Sequence, residues 1–84
     1  MSIRKVSIRQ IKAARALLAW SQNKLADESG ISEPTIKRLE SVDGNLGGRE
    51  ETNRAIVAAL ERAGVIFVAE NGDGPGVRLR KDAS

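Results

Sequence analysis

Apolar and polar positions along the chain predict four helices followed by two short strands. Within four segments, apolar residues recur at intervals of three and four, the spacing that places side chains on one helix face. The predicted helices cover residues 8–19, 22–29, 33–40 and 50–63. Their inward positions are Ile8, Ile11, Ala14, Leu18, Leu25, Ala26, Ile36, Leu39, Ile56, Ala59, Leu60 and Ala63. This pattern predicts a mainly α fold.

Serine residues mark the expected start of the first three helices. Ser7, Ser21 and Ser32 can each accept a hydrogen bond from a backbone N–H group that the first helical turn leaves unpaired. Gln10 follows Ser7 at the spacing of a capping box. Apolar pairs bracket the serines as hydrophobic staples: Val6 with Ile11, Trp20 with Leu25, and Ile31 with Ile36. Gly30, which tolerates positive φ, is expected to end the second helix.

The period of the pattern changes after Gly64. Residues 65–68 are β-branched and aromatic, and residues 77–80 alternate apolar and basic, so both segments are predicted as strands. The glycine-rich residues 71–76 between them are expected to form a turn. Two alternatives stay open: the strands form a β-hairpin within one chain, or they pair across a dimer. The expected architecture is therefore a four-helix domain with a C-terminal β-hairpin or strand pair.

A length of 84 residues fits one small domain. We divide it into an N-terminal arm (1–6), a helical domain (7–64), a strand pair that is a possible dimerisation element (65–80) and a tail (81–84). The chain has no cysteine, histidine or tyrosine. Disulfides, thiolate nucleophiles, Cys/His zinc sites and histidine-based acid–base catalysis are therefore excluded. We expect neither an enzyme nor a metal or cofactor site.

Basic residues are concentrated in the first third of the chain. The net charge is +3, yet residues 1–26 contain six basic residues and no acidic one. This layout favours a polyanionic partner such as nucleic acid, and the alternative is a solvated helix face without a partner. No apolar run approaches the roughly 18 residues of a membrane helix, and the N-terminus lacks the apolar core of a signal peptide. We expect a cytoplasmic protein without membrane contact.

The segment between residues 22 and 40 carries the most informative motif. Its pattern is Gln22-x-x-Leu25-Ala26-x-x-x-Gly30-Ile31-Ser32-x-x-x-Ile36-x-x-x-Glu40. Two short helices joined at a glycine cross steeply, so that one can lie across a DNA backbone while the other enters the major groove. The segment resembles the helix-turn-helix of phage-repressor-like regulators, the Cro/repressor or XRE family. The resemblance covers roughly residues 8–63 and implies a repressor-like helix-turn-helix DNA-binding domain.

The third helix is the expected recognition helix. Ile36 and Leu39 define its buried side, so its outward and flanking positions are expected to contact base edges in the major groove. The candidate base contacts are Glu33, Pro34, Thr35, Lys37 and Arg38. Arg38 suits guanine, because its fork of donors matches the O6 and N7 acceptors. Glu33 has an alternative role, since an acidic side chain in the first turn stabilises a helix without any partner.

Other residues are expected to hold the DNA backbone or the protein itself. The candidate phosphate contacts are Gln22, Ser32, Asn45 and Arg49. For Gln22, the contact with phosphate and a bracing role for the recognition helix follow from the family resemblance. The resemblance also implies a partly buried ion pair between Arg15 and Glu40. This pair would tie the first helix to the third and would have a structural role rather than a DNA contact.

These features predict a sequence-specific, double-stranded DNA-binding transcriptional regulator that acts by occupying its operator as a homodimer. Many relatives have a fifth helix where this chain has predicted strands, so the strands are the candidate dimer surface. The alternative function is a protein-interaction module on the same helix-turn-helix scaffold, such as an antitoxin or adaptor, with a protein partner at the strand edge.

Overall fold

A computed structural model describes residues 6–82 of the chain. Residues 1–5 of the predicted arm and residues 83–84 of the predicted tail lie outside the described residues. The elements in chain order are α1 (Ile8–Leu18), α2 (Gln22–Ser29), α3 (Glu33–Glu40), α4 (Glu50–Arg62), β1 (Val65–Val68) and β2 (Gly76–Leu79). The predicted mainly α fold with a C-terminal strand pair is confirmed.

The first three helices begin at the predicted serines. The Ser7, Ser21 and Ser32 hydroxyls accept hydrogen bonds from the backbone N–H groups of the residues three positions later, at 3.1, 3.0 and 3.4 Å. The Gln10 side chain accepts the Ser7 backbone N–H at 2.9 Å, which completes the capping box. The fourth helix begins without such a cap: Arg49 holds the N-cap position and makes no side-chain cap bond.

Two helices end one residue earlier than predicted. Ala19 lies outside α1 with a φ of 57°, and its N–H donates to Ala16 O at 3.1 Å. A left-handed alanine is rare, so the sequence offers no indication of this stop. The fourth helix ends at Arg62, with Ala63 as its C-cap. By contrast, Gly30 ends α2 with a φ of 76°, as predicted.

The core lies between the four helices and one face of the strand pair. Its largest fully buried side chains are Ile8, Ile11, Leu25, Ile36, Ile56 and Leu60. Three predicted inward residues, Leu18, Ala26 and Ala63, are only partly buried, and the first two pack against the edge of this core. Val6, which we had assigned to the arm, is buried and belongs to the core. Val6 therefore packs with the helical domain.

Both strands belong to one antiparallel hairpin within the chain. Val65 pairs with Leu79 and Val68 pairs with Gly76, so the second strand begins one residue earlier than predicted. The hairpin packs against α1 and α4. Gln10, buried on α1, donates through Nε2 to Val68 O at 3.2 Å and to Gly76 O at 3.0 Å. One glutamine thus caps its own helix and fastens the turn end of the hairpin.

The loop between α3 and α4 is attached to the start of α1. Ser7 and Asn45 form an isolated antiparallel bridge. Ile8 N–H donates to Gly44 O, and the N–H of Leu46 donates to Val6 O, both at 2.8 Å. These bonds hold the loop that follows α3 against the start of α1.

Candidate nucleic-acid interface

The third helix has one buried side and one side open to water. Ile36 is 1% exposed and Leu39 is 9% exposed. Pro34, Lys37 and Arg38 are exposed. This arrangement confirms the predicted orientation of the helix, and a solvent-facing helix of this size fits the width of a major groove.

The two cations on the open side of α3 differ in their partners. Lys37 Nζ lies 3.8 Å from Glu33 Oε2, and Glu33 also accepts a hydrogen bond from Asn23 Nδ2 at 3.2 Å. Among residues 6–82, the Arg38 guanidinium has no ion-pair or side-chain hydrogen-bond partner. Arg38 is therefore the cation on this helix whose donors are fully available to a ligand.

The hydroxyls at the start of α3 already have partners. Ser32 Oγ caps the helix and donates to Thr35 Oγ1 at 2.8 Å. Thr35 is half-buried, and its hydroxyl keeps a hydrogen for another acceptor because it accepts in this bond. Ser32 is exposed, but its oxygen is engaged with the helix. Ser32 and Thr35, both predicted DNA contacts, therefore lie side by side. The Thr35 hydroxyl can still donate a hydrogen bond, whereas the Ser32 hydroxyl already donates to Thr35.

A polar network fixes the end of α3 against α1 and α2. Arg15 Nε donates to Glu40 Oε2 at 2.8 Å, and Arg15 Nη2 donates to Glu40 Oε1 at 2.6 Å. Arg15 Nη1 also donates to Trp20 O at 2.9 Å. The side chains are 19% and 4% exposed for Arg15 and Glu40. The ion pair that the family resemblance implied is therefore present, and it is largely shielded from water.

The Glu40 carboxyl remains ionised in this network. Burial by itself would raise its pKa, but hydrogen bonds from Arg15 and Gln22 and the nearby positive charges outweigh that effect. The pKa of Glu40 is therefore lowered from its ordinary value of 4.5. A charged carboxylate with several donors is the state in which a buried ion pair holds its geometry.

Gln22 joins the same network from the first turn of α2. Its Nε2 donates to Glu40 Oε1 at 3.0 Å. The family resemblance implied that Gln22 contacts a phosphate and braces the recognition helix. The observed hydrogen bond ties Gln22 to Glu40, the last residue of α3. Among residues 6–82, the second amide hydrogen and the carbonyl oxygen of Gln22 have no hydrogen-bond partner, so the side chain keeps a donor.

A cleft opens between the recognition helix and the start of α4. Its volume is about 340 Å³, and its lining residues are Thr35, Arg38, Leu39, Gly48, Arg49 and Thr52. Two predicted contacts, Arg38 for bases and Arg49 for phosphate, thus lie on one cleft. Thr52 was not predicted, because a threonine in a first helical turn has no distinguishing pattern. Asn45 lies on the exposed loop before this cleft, bridged to Ser7.

A second arginine of α1 holds the loop after α3. Arg9 donates through Nε to Asp43 Oδ1 at 3.1 Å and through Nη2 to Asp43 Oδ2 at 2.9 Å. Hydrogen bonding from the Gly44 N–H and from Arg9 lowers the pKa of Asp43. The sequence analysis missed this pair, since nothing in the local pattern links positions 34 residues apart.

Two further findings concern other kinds of site. Among residues 6–82, no group of three or more metal-ligating side chains lies close enough together to hold an ion. In the same part of the chain, every helix is too short or too polar to cross a bilayer.

Comparison with known proteins agrees with this geometry. A helix-turn-helix family model matches residues 11–45, which run from the first turn of α1 into the loop after α3. No curated protein matches the chain. The matched residues contain Arg15, Gln22 and Glu40, together with the whole open side of the recognition helix. Residues 11–45 therefore match a helix-turn-helix family, and the match supports the resemblance to Cro/repressor-like (XRE-type) DNA-binding regulators.

Proposed function

We propose that this protein is a sequence-specific regulator of transcription that inserts α3 into the major groove of double-stranded DNA. One observation carries the proposal: the exposed side of α3 presents Lys37 and Arg38, while Ile36 and Leu39 anchor the opposite side. Within the described residues 6–82, the Arg38 side chain has no partner. Cations on a rigid helix can combine attraction to phosphate with contacts to base edges.

Arg38 is the principal base contact in this proposal. Its five donors form a planar fork that matches O6 and N7 of guanine. Lys37 contacts guanine or a phosphate after releasing its weak interaction with Glu33. Pro34 and Thr35 offer apolar surface to a thymine methyl group. Glu33 accepts a hydrogen bond from cytosine N4, or it stabilises the start of α3 through the helix dipole.

The DNA backbone is held on both sides of the recognition helix. Gln22 and Ser32 contact phosphate from the starts of α2 and α3. Asn45 and Arg49 contact phosphate on the other side, where the cleft beside Arg38 is lined by two arginines and two threonines. Such contacts fix the orientation of the helix without selecting a sequence.

Occupancy of an operator is the proposed mode of action. A two-fold dimer places two recognition helices about 34 Å apart, which is one turn of the duplex, and so matches a palindromic site. The bound dimer then blocks or recruits RNA polymerase. The network of Arg15, Gln22 and Glu40 has a positioning role, because it sets the angle at which α3 leaves the protein surface.

Selection of bound sites from a random duplex library tests the proposal. We expect one enriched sequence, and on random duplex we expect affinity to fall steeply as salt rises. A protein that binds no duplex at low salt would contradict the proposal and would favour the interaction module. A protein that binds every duplex alike would contradict sequence specificity alone.

A further inference from the structure

The hairpin has two free edges, and hydrogen-bond alternation shows which groups each edge presents. Arg80 N–H donates across the hairpin to Gly64 O at 2.8 Å. In an antiparallel pair such bonded positions recur at every second residue. Ile66 therefore directs its backbone groups towards β2, while Val65 and Phe67 direct theirs away from it. No backbone bond within residues 6–82 joins this outer edge of β1 to another element.

The two edges differ in charge. The first strand, β1, consists of four uncharged residues, and its central Ile66 is 40% exposed. The second strand carries Arg78 at its centre, and Arg80 follows directly after it; both are exposed. Two copies of β2 side by side would place these arginines on one shared face, and like charges on facing strands repel. Basic side chains on an edge strand are also a common protection against pairing.

We infer that two copies of this protein pair through β1, antiparallel, with each Ile66 opposite the Ile66 of its partner. This register pairs Val65 of each copy with Phe67 of the other, and it satisfies the outward N–H and C=O groups of both. If the pairing shifted by one residue, the backbone groups of one copy that point away from β2 would lie opposite residues whose backbone groups point towards β2. No hydrogen bonds could then form between the two copies. The product is a four-stranded sheet in the order β2-β1-β1-β2, with the two-fold axis at Ile66.

A second copy is the occupant that the edge favours. Across a two-fold axis, the N–H groups of one β1 edge meet the C=O groups of the identical edge in the other copy. An uncharged strand can therefore pair with a second copy of itself without charge repulsion. The facing isoleucines would also bury the largest exposed apolar side chain of the sheet, since cross-strand Cβ atoms at such positions lie about 4.5–5.5 Å apart. The inference deepens the proposed function, and its biological role rests on it: the pair would supply the dimer that occupies a palindromic operator.

Sedimentation equilibrium of the full chain without DNA tests the pairing. We expect a dimer of the unmodified protein at micromolar concentration, and Ile66→Lys should weaken it by about a hundredfold or more, because opposed ammonium groups replace opposed apolar ones. Leu17→Lys is the matched control, since Leu17 is 44% exposed on α1 and the substitution adds the same charge. It should leave the dimer unchanged, and thermal melts should show both variants folded.

A cross-link gives a second, independent measurement. The chain has no cysteine, so Ile66→Cys introduces a single thiol per copy. On the two-fold axis, an added copper–phenanthroline oxidant with dissolved oxygen should join the two thiols as a disulfide. Leu17→Cys should stay monomeric on non-reducing gels. A monomeric unmodified protein, an unaffected Ile66→Lys dimer, a dimer lost on Leu17→Lys, or no cross-link at position 66 would overturn the inference.

Failure of this pairing and failure of DNA binding can be told apart. Ile66→Lys should still bind a duplex that carries one half-site, because α3 is unchanged. A protein that dimerises and cross-links as expected but binds no duplex would refute the regulator and leave the pairing intact. A protein that binds its operator but fails both assays would refute the pairing alone.

Discussion

Two arginines of α1 each hold a carboxylate at or beyond the end of α3, in different surroundings. Arg15 meets Glu40 through two hydrogen bonds, and Arg9 meets Asp43 through two. The side chains of the first pair are 19% and 4% exposed, and those of the second pair are 81% and 65% exposed. The two pairs therefore share their chemistry and differ in their access to water.

From this difference we expect burial, rather than ion-pair geometry, to decide which contact fixes α3. Water screens the exposed pair and replaces its hydrogen bonds when it opens, so exposed pairs contribute about 0–1 kcal/mol. Removing one partner of a buried pair leaves a charge without water or a counter-charge. We therefore expect the angle of α3 to depend on Arg15 and Glu40, while Arg9 and Asp43 tether the loop that follows.

The largest expected effect breaks the buried pair. Arg15→Ala should lower the free energy of unfolding by about 3 kcal/mol, since Glu40 would stay buried with Gln22 as its remaining donor. Urea denaturation at neutral pH measures the change. The double variant Arg15→Met with Glu40→Leu should regain much of the loss. A midpoint for Arg15→Ala equal to that of the unmodified protein would show that the pair contributes nothing.

A smaller effect tests the third member of the buried network. Gln22→Ala removes one hydrogen bond to a charged group, and we expect a loss of about 1–2 kcal/mol in urea denaturation. The same change in Arg15→Ala should cost more than in the unmodified protein, because Gln22 is then the main donor left to Glu40. Equal costs in both backgrounds would mean that the two donors act independently.

Acid should weaken the buried pair in a defined pH range. The folded-state pKa of Glu40 lies below its ordinary value of 4.5, so the contribution of its charge is complete above that value and is lost as pH falls through the folded pKa. The stability gap between the unmodified protein and Glu40→Gln should therefore narrow below about pH 4.5. A gap that stays constant down to about pH 2 would contradict an ionised Glu40.

The smallest effect is expected at the exposed pair. Arg9→Ala should change the free energy of unfolding far less than Arg15→Ala does, because water replaces the lost bonds to Asp43. Urea denaturation in low and high salt checks this, and the small difference should shrink further in high salt. If Arg9→Ala lowered the free energy of unfolding as much as Arg15→Ala does, burial would not explain the difference between the two ion pairs.

The sequence predicted contacts that are local and missed contacts that depend on packing. The caps at Ser7, Ser21 and Ser32 bond three residues ahead, so their spacing alone revealed them. The bonds from Gln10 to Val68 O and Gly76 O cross 58 and 66 residues. The capping-box spacing predicts the local hydrogen bond of Gln10. It gives no indication that the same side chain also donates to two carbonyl groups of the hairpin.

The recognition helix was predictable for the same reason, and its surroundings were only partly so. Buried Ile36 and Leu39 fix the rotation of α3 from their spacing alone. The cleft beside Arg38 depends on where α4 begins, and Arg49 and Thr52 join it only through the path of the preceding loop. The link between Arg15 and Glu40 came from family resemblance, since no local rule pairs residues 25 positions apart.

Base-by-base affinities of an Arg38→Ala variant test the central claim most directly. With the selected operator and its single-base variants, we expect a loss of about 1–3 kcal/mol for the operator and a loss of preference at one base pair. Arg78→Ala, which removes the same charge from the hairpin, should keep every preference. If Arg38→Ala weakens all duplexes equally and its base preferences match those of the unmodified protein, α3 does not select the sequence through Arg38.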